Sequence, residues 1–303
     1  EFDFGVPQFR LLFQPVLIAL AAGMALVTAR IRIGRGAALG AAAFFVVLRA
    51  ALALAIGGAL GRTIPHFPLF IVEALVVEVV ALRIPRERPV ALGAVSGVGI
   101  GTLGMASEWL WSPIFLPHTW TADLLPEALV WAVAAGVAGG VLGGLIGRAL
   151  VGGGVAARPV PRFAGALAGL VAVVAVAWPM PTNAGENLSA TVRIDELTPA
   201  PARTVRATIT MTPRDAAEDA AFFNVTAWQG SGWARQRVVI DDLERVGDGV
   251  YRTTEPIPVH GEWKAIIRLH KGSTLAALPI FMPADPGIPA TAVLPDPTFT
   301  RPF

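Results

Sequence analysis

Long apolar runs between residues 9 and 178 constrain the fold of this chain more than any other feature. A helix needs about 20 apolar residues to cross the hydrocarbon core of a bilayer. Runs of roughly that length occupy residues 9–29, 37–60, 67–82, 90–111, 126–150 and 163–178. They predict a bundle of about six transmembrane helices, so the lipid bilayer is the first expected partner.

The composition of the chain divides it into two domains and a tail. Hydrophobic residues make up 54% of the sequence and charged residues only 15%, and the apolar excess lies before residue 180. We therefore expect an all-α membrane bundle at 1–180, an all-β immunoglobulin-like sandwich at 181–285 and a Pro-rich tail, extended or disordered, at 286–303. A net charge of +2 without a basic cluster argues against nucleic-acid binding. The absence of cysteine removes disulfides and thiol chemistry.

Arginine residues in the short loops predict the orientation of the helices. Cytoplasmic loops are enriched in Lys and Arg, and here the loops after the first, third and fifth runs are the rich ones. Their arginines are Arg30, Arg32, Arg35, Arg83, Arg86, Arg88, Arg148, Arg158 and Arg162. The alternate loops, 61–66 and 112–125, contain only Arg62. Both termini and the β domain are therefore expected on the non-cytoplasmic side of a cell membrane.

Glycines recur at four-residue spacing in three of the apolar runs. Such stripes let helix backbones approach closely. The pattern predicts tight packing within the bundle, and it leaves open an interface with a second copy or another subunit. The stripes are Gly93, Gly97 and Gly101; Gly136, Gly140 and Gly144; Gly139, Gly143 and Gly147; and Gly165 with Gly169.

Short alternating segments separated by turn residues follow residue 185. They lie at 190–195, 204–211, 222–228, 233–240, 249–253, 263–270 and 274–282. About seven short strands in roughly 100 residues are typical of an immunoglobulin-type sandwich. In the sixth segment, Trp263, Ala265, Ile267 and Leu269 are expected to face the core, and they alternate with Lys264, Ile266, Arg268 and His270.

Charged residues inside the apolar runs are the first candidate site, because charges in a membrane are costly and usually paired or functional. Arg49 lies in the second run, and Glu73 and Glu78 lie in the third. At 1.5 Å per residue, Arg49 and Glu78 are both expected roughly 17 Å below the outer boundary. The spacing predicts an Arg49–Glu78 ion pair that fixes helix register, with a proton or ion pathway and a solvated cavity as the alternatives.

A second candidate site combines imidazole and carboxylate groups near the non-cytoplasmic surface. His66 and Glu73 come from the start of the third run, Glu108 from the end of the fourth, and His118 from the loop that follows. Such ligands suit copper, zinc or iron, and His66, Glu108 and His118 are the candidate metal ligands. Polar contacts at helix ends are the alternative explanation.

One motif in the C-terminal domain resembles a known family. Gly249 and Tyr251 form a Gly-x-Tyr strand, and Gly261 and Trp263 form a Gly-x-Trp turn. This pattern resembles the end of a YtkA-like or FixH-like domain, an immunoglobulin-type module similar in style to CopC-like domains. The resemblance covers about a third of the chain and implies copper handling or assembly of copper enzymes, although residues 184–200 lack the histidines of CopC-like proteins. The membrane part resembles multi-span proteins of high-GC bacteria.

Together these features favour a non-enzymatic membrane protein of the bacterial cell envelope, because no catalytic motif is present. In this interpretation it is an accessory protein or complex subunit, with copper as a possible cofactor, and its β domain binds other membrane or extracytoplasmic proteins. One alternative is a transporter or channel that uses Arg49, Glu73 and Glu78. Another is a subunit of a metal-dependent membrane oxidase or monooxygenase.

Overall fold

The computed structural model describes residues 13–55, 59, 67–114, 125–151, 163–178, 185–229, 238–284 and 291–303. The chain separates into two compact units, one helical and one built of β-strands, and residues 181–303 belong to the second. Each unit has its own hydrophobic core.

The helical unit contains seven α-helices in its described residues. They are α1 (Phe13–Arg32), α2 (Ala37–Leu54), α3 (Ile71–Val80), α4 (Pro89–Gly99), α5 (Met105–Trp111), α6 (Leu125–Val151) and α7 (Phe163–Ala177). The π-helical segment Ile100–Gly104 joins α4 to α5, so residues 89–111 form one continuous apolar helix. Pro89 begins α4, where its missing N–H would have had no partner within the helix.

Four of these helical stretches are long and apolar enough to cross a membrane. They are Pro15–Arg32, Ala37–Leu54, Pro89–Trp111 and Leu125–Val151. Helix α7 is apolar but has 15 residues, and α3 has only 10. The prediction of a helical part with several apolar spans is therefore confirmed, and every predicted run contains a helix.

Helix α6 lies at the centre of the unit and uses its two glycine stripes against two different helices. On one stripe, a β-carbon added at Gly136 or Gly140 would overlap the backbone of α4 at Gly97 or Gly93. On the other stripe, a β-carbon at Gly139 or Gly143 would overlap the backbone of α1 at Leu20 or Met24. The hydroxyl of Thr28 donates to the carbonyl of Gly143 in the same seam, at 2.9 Å. Packing within the bundle thus accounts for both stripes of α6.

The second unit is built from ten strands in its described residues. They are β1 (Ser189–Thr198), β2 (Thr204–Thr212), β3 (Phe222–Gln229), β4 (Val238–Asp242), β5 (Glu244–Gly247), β6 (Val250–Arg252), β7 (Ile257–Pro258), β8 (Trp263–Lys271), β9 (Thr274–Phe281) and β10 (Thr298–Pro302). One sheet has the order β10-β1-β2-β6-β5, with β7 also pairing with β2, and the other has the order β4-β3-β8-β9. All pairings between these strands are antiparallel.

The core of this unit lies between alternating residues of the strands, as the sequence pattern predicts. Trp263, Ala265, Ile267 and Leu269 of β8 are all buried, at 9% exposure or less. Arg268 and His270, which point to the other side of β8, are buried as well. Both faces of this strand are therefore covered over residues 267–270.

The segment predicted as a separate tail, extended or disordered, contains an ordered strand of the β unit at residues 298–302. These residues form β10, which pairs with β1 so that Phe299 lies opposite Val192. Phe299 is buried in the core of the unit, and Met282 forms a β-bridge with Val293. The high Pro content of the segment argued against a strand in the sequence analysis. Strand β10 lies at the edge of its sheet, where Pro is tolerated.

Candidate functional site in the helical bundle

A non-helical segment, residues 67–70, precedes α3 and is held by α5. The Oε1 atom of Glu108 accepts hydrogen bonds from the backbone N–H groups of Leu69 and Phe70, both at 2.8 Å. Trp111 donates its indole N–H to the carbonyl of Phe67 at 2.9 Å. Phe70, the residue before α3, has a positive φ of 58°. The carboxylate of Glu108 thus caps α3 from a neighbouring helix.

Arg49 lies close to the same segment. Its guanidinium carbon is 5.6 Å from the centroid of the Phe67 ring, a distance at which a cation is attracted to the face of an aromatic ring. Phe67 also contacts Trp111 edge to face, with centroids 6.3 Å apart. Arg49 is therefore placed near the beginning of α3.

Glu73 lies one turn into α3 and is completely buried. It occupies the third helical position, from which an acidic side chain often reaches back to the N–H that precedes the helix. Here Glu108 already accepts from that N–H of Phe70. Neither carboxylate oxygen of Glu73 has a hydrogen-bond partner among the described residues, and the same is true of Oε2 of Glu108.

Gly104, in the π-helical segment, makes room for the Glu73 side chain. A β-carbon added at Gly104 would lie 2.5 Å from Cγ of Glu73 and 2.9 Å from its carboxyl carbon. A π-helical turn inside a longer helix is often found at a functional site. Glu73 and Glu108 are also close enough for their charges to interact. The structure therefore brings together two buried carboxyl groups beside a π-helical turn.

The predicted Arg49–Glu78 ion pair is wrong, because Glu78 pairs with Arg30. The Nε atom of Arg30 lies 3.0 Å from Oε2 of Glu78, and Oε1 of Glu78 accepts the N–H of Ala38 at 3.0 Å. The depth argument failed because α3 is only ten residues long, about 15 Å. Glu78 thus lies beside the beginning of α2, whereas Arg49 lies twelve residues from that beginning.

Of the three predicted metal ligands, only Glu108 lies among the described residues. His66 and His118 lie outside the described residues, and within the described residues no group of three or more His, Asp or Glu side chains could hold a metal ion. Glu73 and Glu108, which the sequence placed in the same neighbourhood, do come together. The sequence pattern did not identify Arg30 as the partner of Glu78, because Arg30 served there only to predict orientation. It also did not identify Gly104 as the residue that makes room for Glu73. The available signal was that Gly104 lies outside the regular four-residue glycine spacing.

Asp241, in the β unit, has a buried carboxylate that the sequence analysis did not single out. Asp241 accepts the N–H of Thr254 at 2.8 Å and also its hydroxyl, and it is 2% exposed. Its contacts join β4 to the loop after β6. His270 is buried beside Phe222, with ring centroids 5.4 Å apart, while His260 is half-buried in a loop.

The fold defines this chain as one with apolar helices long enough to cross a membrane and a separate unit of two antiparallel β-sheets. Comparison with known proteins adds no family name: no family model, curated protein or solved structure matches the chain.

Proposed function

We propose that this protein is an accessory protein of the cell envelope, in which about six transmembrane helices present an immunoglobulin-type sandwich to a partner protein. The observation that carries the proposal is the division of the chain into an apolar helical unit and a β unit with its own core. A membrane anchor joined to a separately folded module is the arrangement expected of a protein that presents a binding surface.

The order of the strands supports the immunoglobulin-type assignment. In such domains one sheet has the order A-B-E-D and the other contains C, F and G. Strands β1, β2, β6 and β5 follow the first order, and β3, β8 and β9 follow the second, with β4 beside β3. Strand β10 is an addition at the edge next to β1.

The arginine distribution supports a non-cytoplasmic sandwich, and the absence of cysteine makes this sidedness directly measurable. Single cysteines at Ile33, 77% exposed between α1 and α2, and at exposed Ala202 in the β unit can be labelled in intact cells with a membrane-impermeant maleimide. We expect labelling of Ala202→Cys only, with Ile33→Cys reacting after the membrane is opened. The reverse pattern would place the sandwich inside the cell.

Edge strand β5 is the natural place to look for the partner. An edge strand presents unpaired backbone groups that can pair with another chain, and Val246 on β5 is an exposed apolar residue. A photo-crosslinking amino acid at Val246 is expected to capture a defined protein in cells. The same amino acid at Arg193, exposed on the interior strand β1, is the matched control.

Exchange of the anchor separates this proposal from a function within the bundle. Residues 13–178 can be replaced by one unrelated transmembrane helix that leaves the sandwich on the same side of the membrane. If the helices serve to present the sandwich, the Val246 crosslink to the same protein is retained. If the crosslink is lost while the sandwich remains folded, the bundle itself takes part in the function.

The copper-linked form of the proposal rests on the family resemblance, and metal analysis tests it. Protein purified in mild detergent after copper loading is compared with the double variant His66→Ala and His118→Ala. Stoichiometric copper that is lost in the variant supports the copper-linked accessory role and the oxidase-type alternative together. Equal copper contents, or none, would remove the metal from the proposal and leave the presenting role.

A further inference from the structure

We propose that Arg49 binds the phosphate group of a membrane phospholipid. The site consists of the Arg49 guanidinium, the Phe67 ring against which it lies, and the exposed apolar side chains of α2 and α3 beside them. The ligand is one lipid with an anionic headgroup, held by charge at its phosphate and by burial of its acyl chains. The inference rests on the membrane placement of the helices in the proposed function and is independent of the presenting role of the sandwich.

The first argument is that Arg49 lies on the inner face of α2 but is not fully covered there. Ala42 and Ala53 lie seven residues before and four residues after Arg49, on the same face of the helix. Both alanines are buried, whereas Arg49 is only half-buried. The bundle therefore leaves part of the Arg49 side chain accessible to a ligand.

The second argument is the charge of Arg49. No ion pair among the described residues includes it, and its guanidinium carbon lies 5.6 Å from the centroid of the Phe67 ring. A cation–π contact offsets only part of the cost of an arginine in an apolar helix. A phosphate group supplies the missing negative charge, and its oxygens accept the paired N–H groups of a guanidinium side by side.

The third argument is the level of Arg49 in the membrane. Trp111 is the last residue of the candidate span Pro89–Trp111, and it donates to the carbonyl of Phe67, the residue under Arg49. Arg49 also precedes Leu54, the last residue of the candidate span on α2, by five residues, or about 8 Å. An arginine side chain extends from this depth to the headgroup region, where tryptophan is also enriched. Phospholipid phosphates lie in that region.

The fourth argument is the apolar surface beside the site. In the candidate span on α2, 17% of the residues are buried, against 44–50% in the other three spans. Leu48 and Leu52, each within one turn of Arg49, are 46% and 43% exposed, and Ile71 at the beginning of α3 is 42% exposed. Acyl chains can lie along these side chains, whereas a free phosphate ion gains nothing from them. The surface therefore favours a lipid as the source of the phosphate.

Native mass spectrometry of the full-length protein tests the proposal. Protein in mild detergent is titrated with phosphatidylglycerol, and separately with diacylglycerol of the same acyl chains, which has no phosphate. We expect one phosphatidylglycerol to be retained more tightly than any further lipid, and diacylglycerol not to be retained. Arg49→Gln should bind phosphatidylglycerol about tenfold more weakly, because a charge-assisted contact is lost. Arg83→Gln, which removes an exposed arginine after α3, should bind it like the wild-type protein.

Three results of this titration would overturn the proposal. Equal retention of diacylglycerol would make the site purely apolar, and displacement of the lipid by an equal concentration of inorganic phosphate would make it a site for free anions. Equal losses in Arg49→Gln and Arg83→Gln would mean that net charge alone attracts the lipid. The comparisons on the wild-type protein stand even where Arg49→Gln does not fold, and Arg49→Lys, which keeps the charge, should retain most of the binding.

Flotation with phosphatidylglycerol vesicles separates the site from the membrane placement on which it rests. Protein that floats with the vesicles but retains no lipid in the mass spectrometer lacks the site, while the membrane placement stands. Protein that does not float with the vesicles contradicts the placement, and the site with it.

Discussion

The carboxylate of Glu78 lies 3.0 Å from the guanidinium of Arg30 and accepts the N–H of Ala38 at the same distance. One side chain of α3 thus ties the end of α1 to the beginning of α2. Both charged side chains are about one-seventh exposed, so the pair is largely removed from solvent. The junction fixes three consecutive helices relative to one another.

Loss of this carboxylate should destabilise the helical unit. Glu78→Ala leaves Arg30 without its counter-charge and Ala38 without its acceptor, and breaking a buried pair costs about 3 kcal/mol or more. Unfolding in mild detergent by added denaturing detergent measures the change in free energy. Glu87→Ala, which removes an exposed partner of Arg86, should cost less than about 1 kcal/mol.

A double-mutant cycle distinguishes the two possible partners of Glu78. Arg30→Ala and Glu78→Ala should show a coupling free energy of about 1 kcal/mol or more. Arg49→Ala and Glu78→Ala should be additive, because Arg49 lies at the other end of α3. Strong coupling of Arg49 and weak coupling of Arg30 would contradict the arrangement described above.

Addition of a methyl group to the α4–α6 contact should destabilise the bundle. The β-carbon of Gly140→Ala would overlap the backbone at Gly93, and overpacking of this kind costs about 1–3 kcal/mol. At Gly169 on α7, nothing lies within 4 Å of an added β-carbon. Gly169→Ala should therefore be neutral or stabilising in the same unfolding assay. Equal losses from both variants would contradict the close backbone contact as the cause, because an added β-carbon at Gly169 meets no such contact.

The buried carboxylate of the β unit should be important for its stability. Asp241→Ala leaves the N–H of Thr254 without an acceptor, and a hydrogen bond to a charged group contributes about 1.5–3 kcal/mol. Amide hydrogen exchange should become faster in β3 and β4 of the full-length protein. Asp242→Ala, at the exposed neighbouring position, should leave the exchange rates unchanged.

The single tyrosine of the chain gives a direct measure of burial in the β unit. Burial raises the pKa of Tyr251 above its usual 10.0, since the charged phenolate is the form that loses solvation. Above pH 10 the unfolded chain then binds fewer protons than the folded one. The stability of the unit should therefore fall as pH rises through this range.

Absorbance of tyrosinate follows this titration without ambiguity. The native midpoint should lie at a higher pH than the midpoint of the protein unfolded in denaturant. Coincident midpoints would contradict the burial of Tyr251, whose ring lies edge to face against Phe223 with centroids 4.9 Å apart.

The sequence predicted helices and strands correctly where a local pattern, such as apolar periodicity or glycine spacing, was sufficient to specify them. Each of the seven predicted strand segments contains a strand in its described residues, because alternation of apolar and polar residues is a property of the strand itself. The glycine stripes of α6 likewise predicted close helix contacts. Strand β10 was missed because its Pro-rich surroundings obscured the alternation around Phe299.

The candidate site was predictable as a set of residues but not as a set of contacts. Apolar context alone marks Glu73, Glu78 and Glu108 as unusual. Which of them meets Arg30, a backbone N–H or another carboxylate depends on where α3 begins and ends. That boundary depends on Glu108, which lies 38 residues after Phe70 and caps the helix from α5.

By itself, the sequence determined that this chain has an apolar helical part and a strand-rich part, since length, composition and periodicity are local quantities. Only the tertiary structure decided that Glu78 pairs with Arg30, that Glu108 caps α3, and that Glu73 is buried against Gly104. These contacts join residues far apart in the chain. They depend on how α1, α3, α5 and the π-helical segment pack against one another, which no single segment specifies.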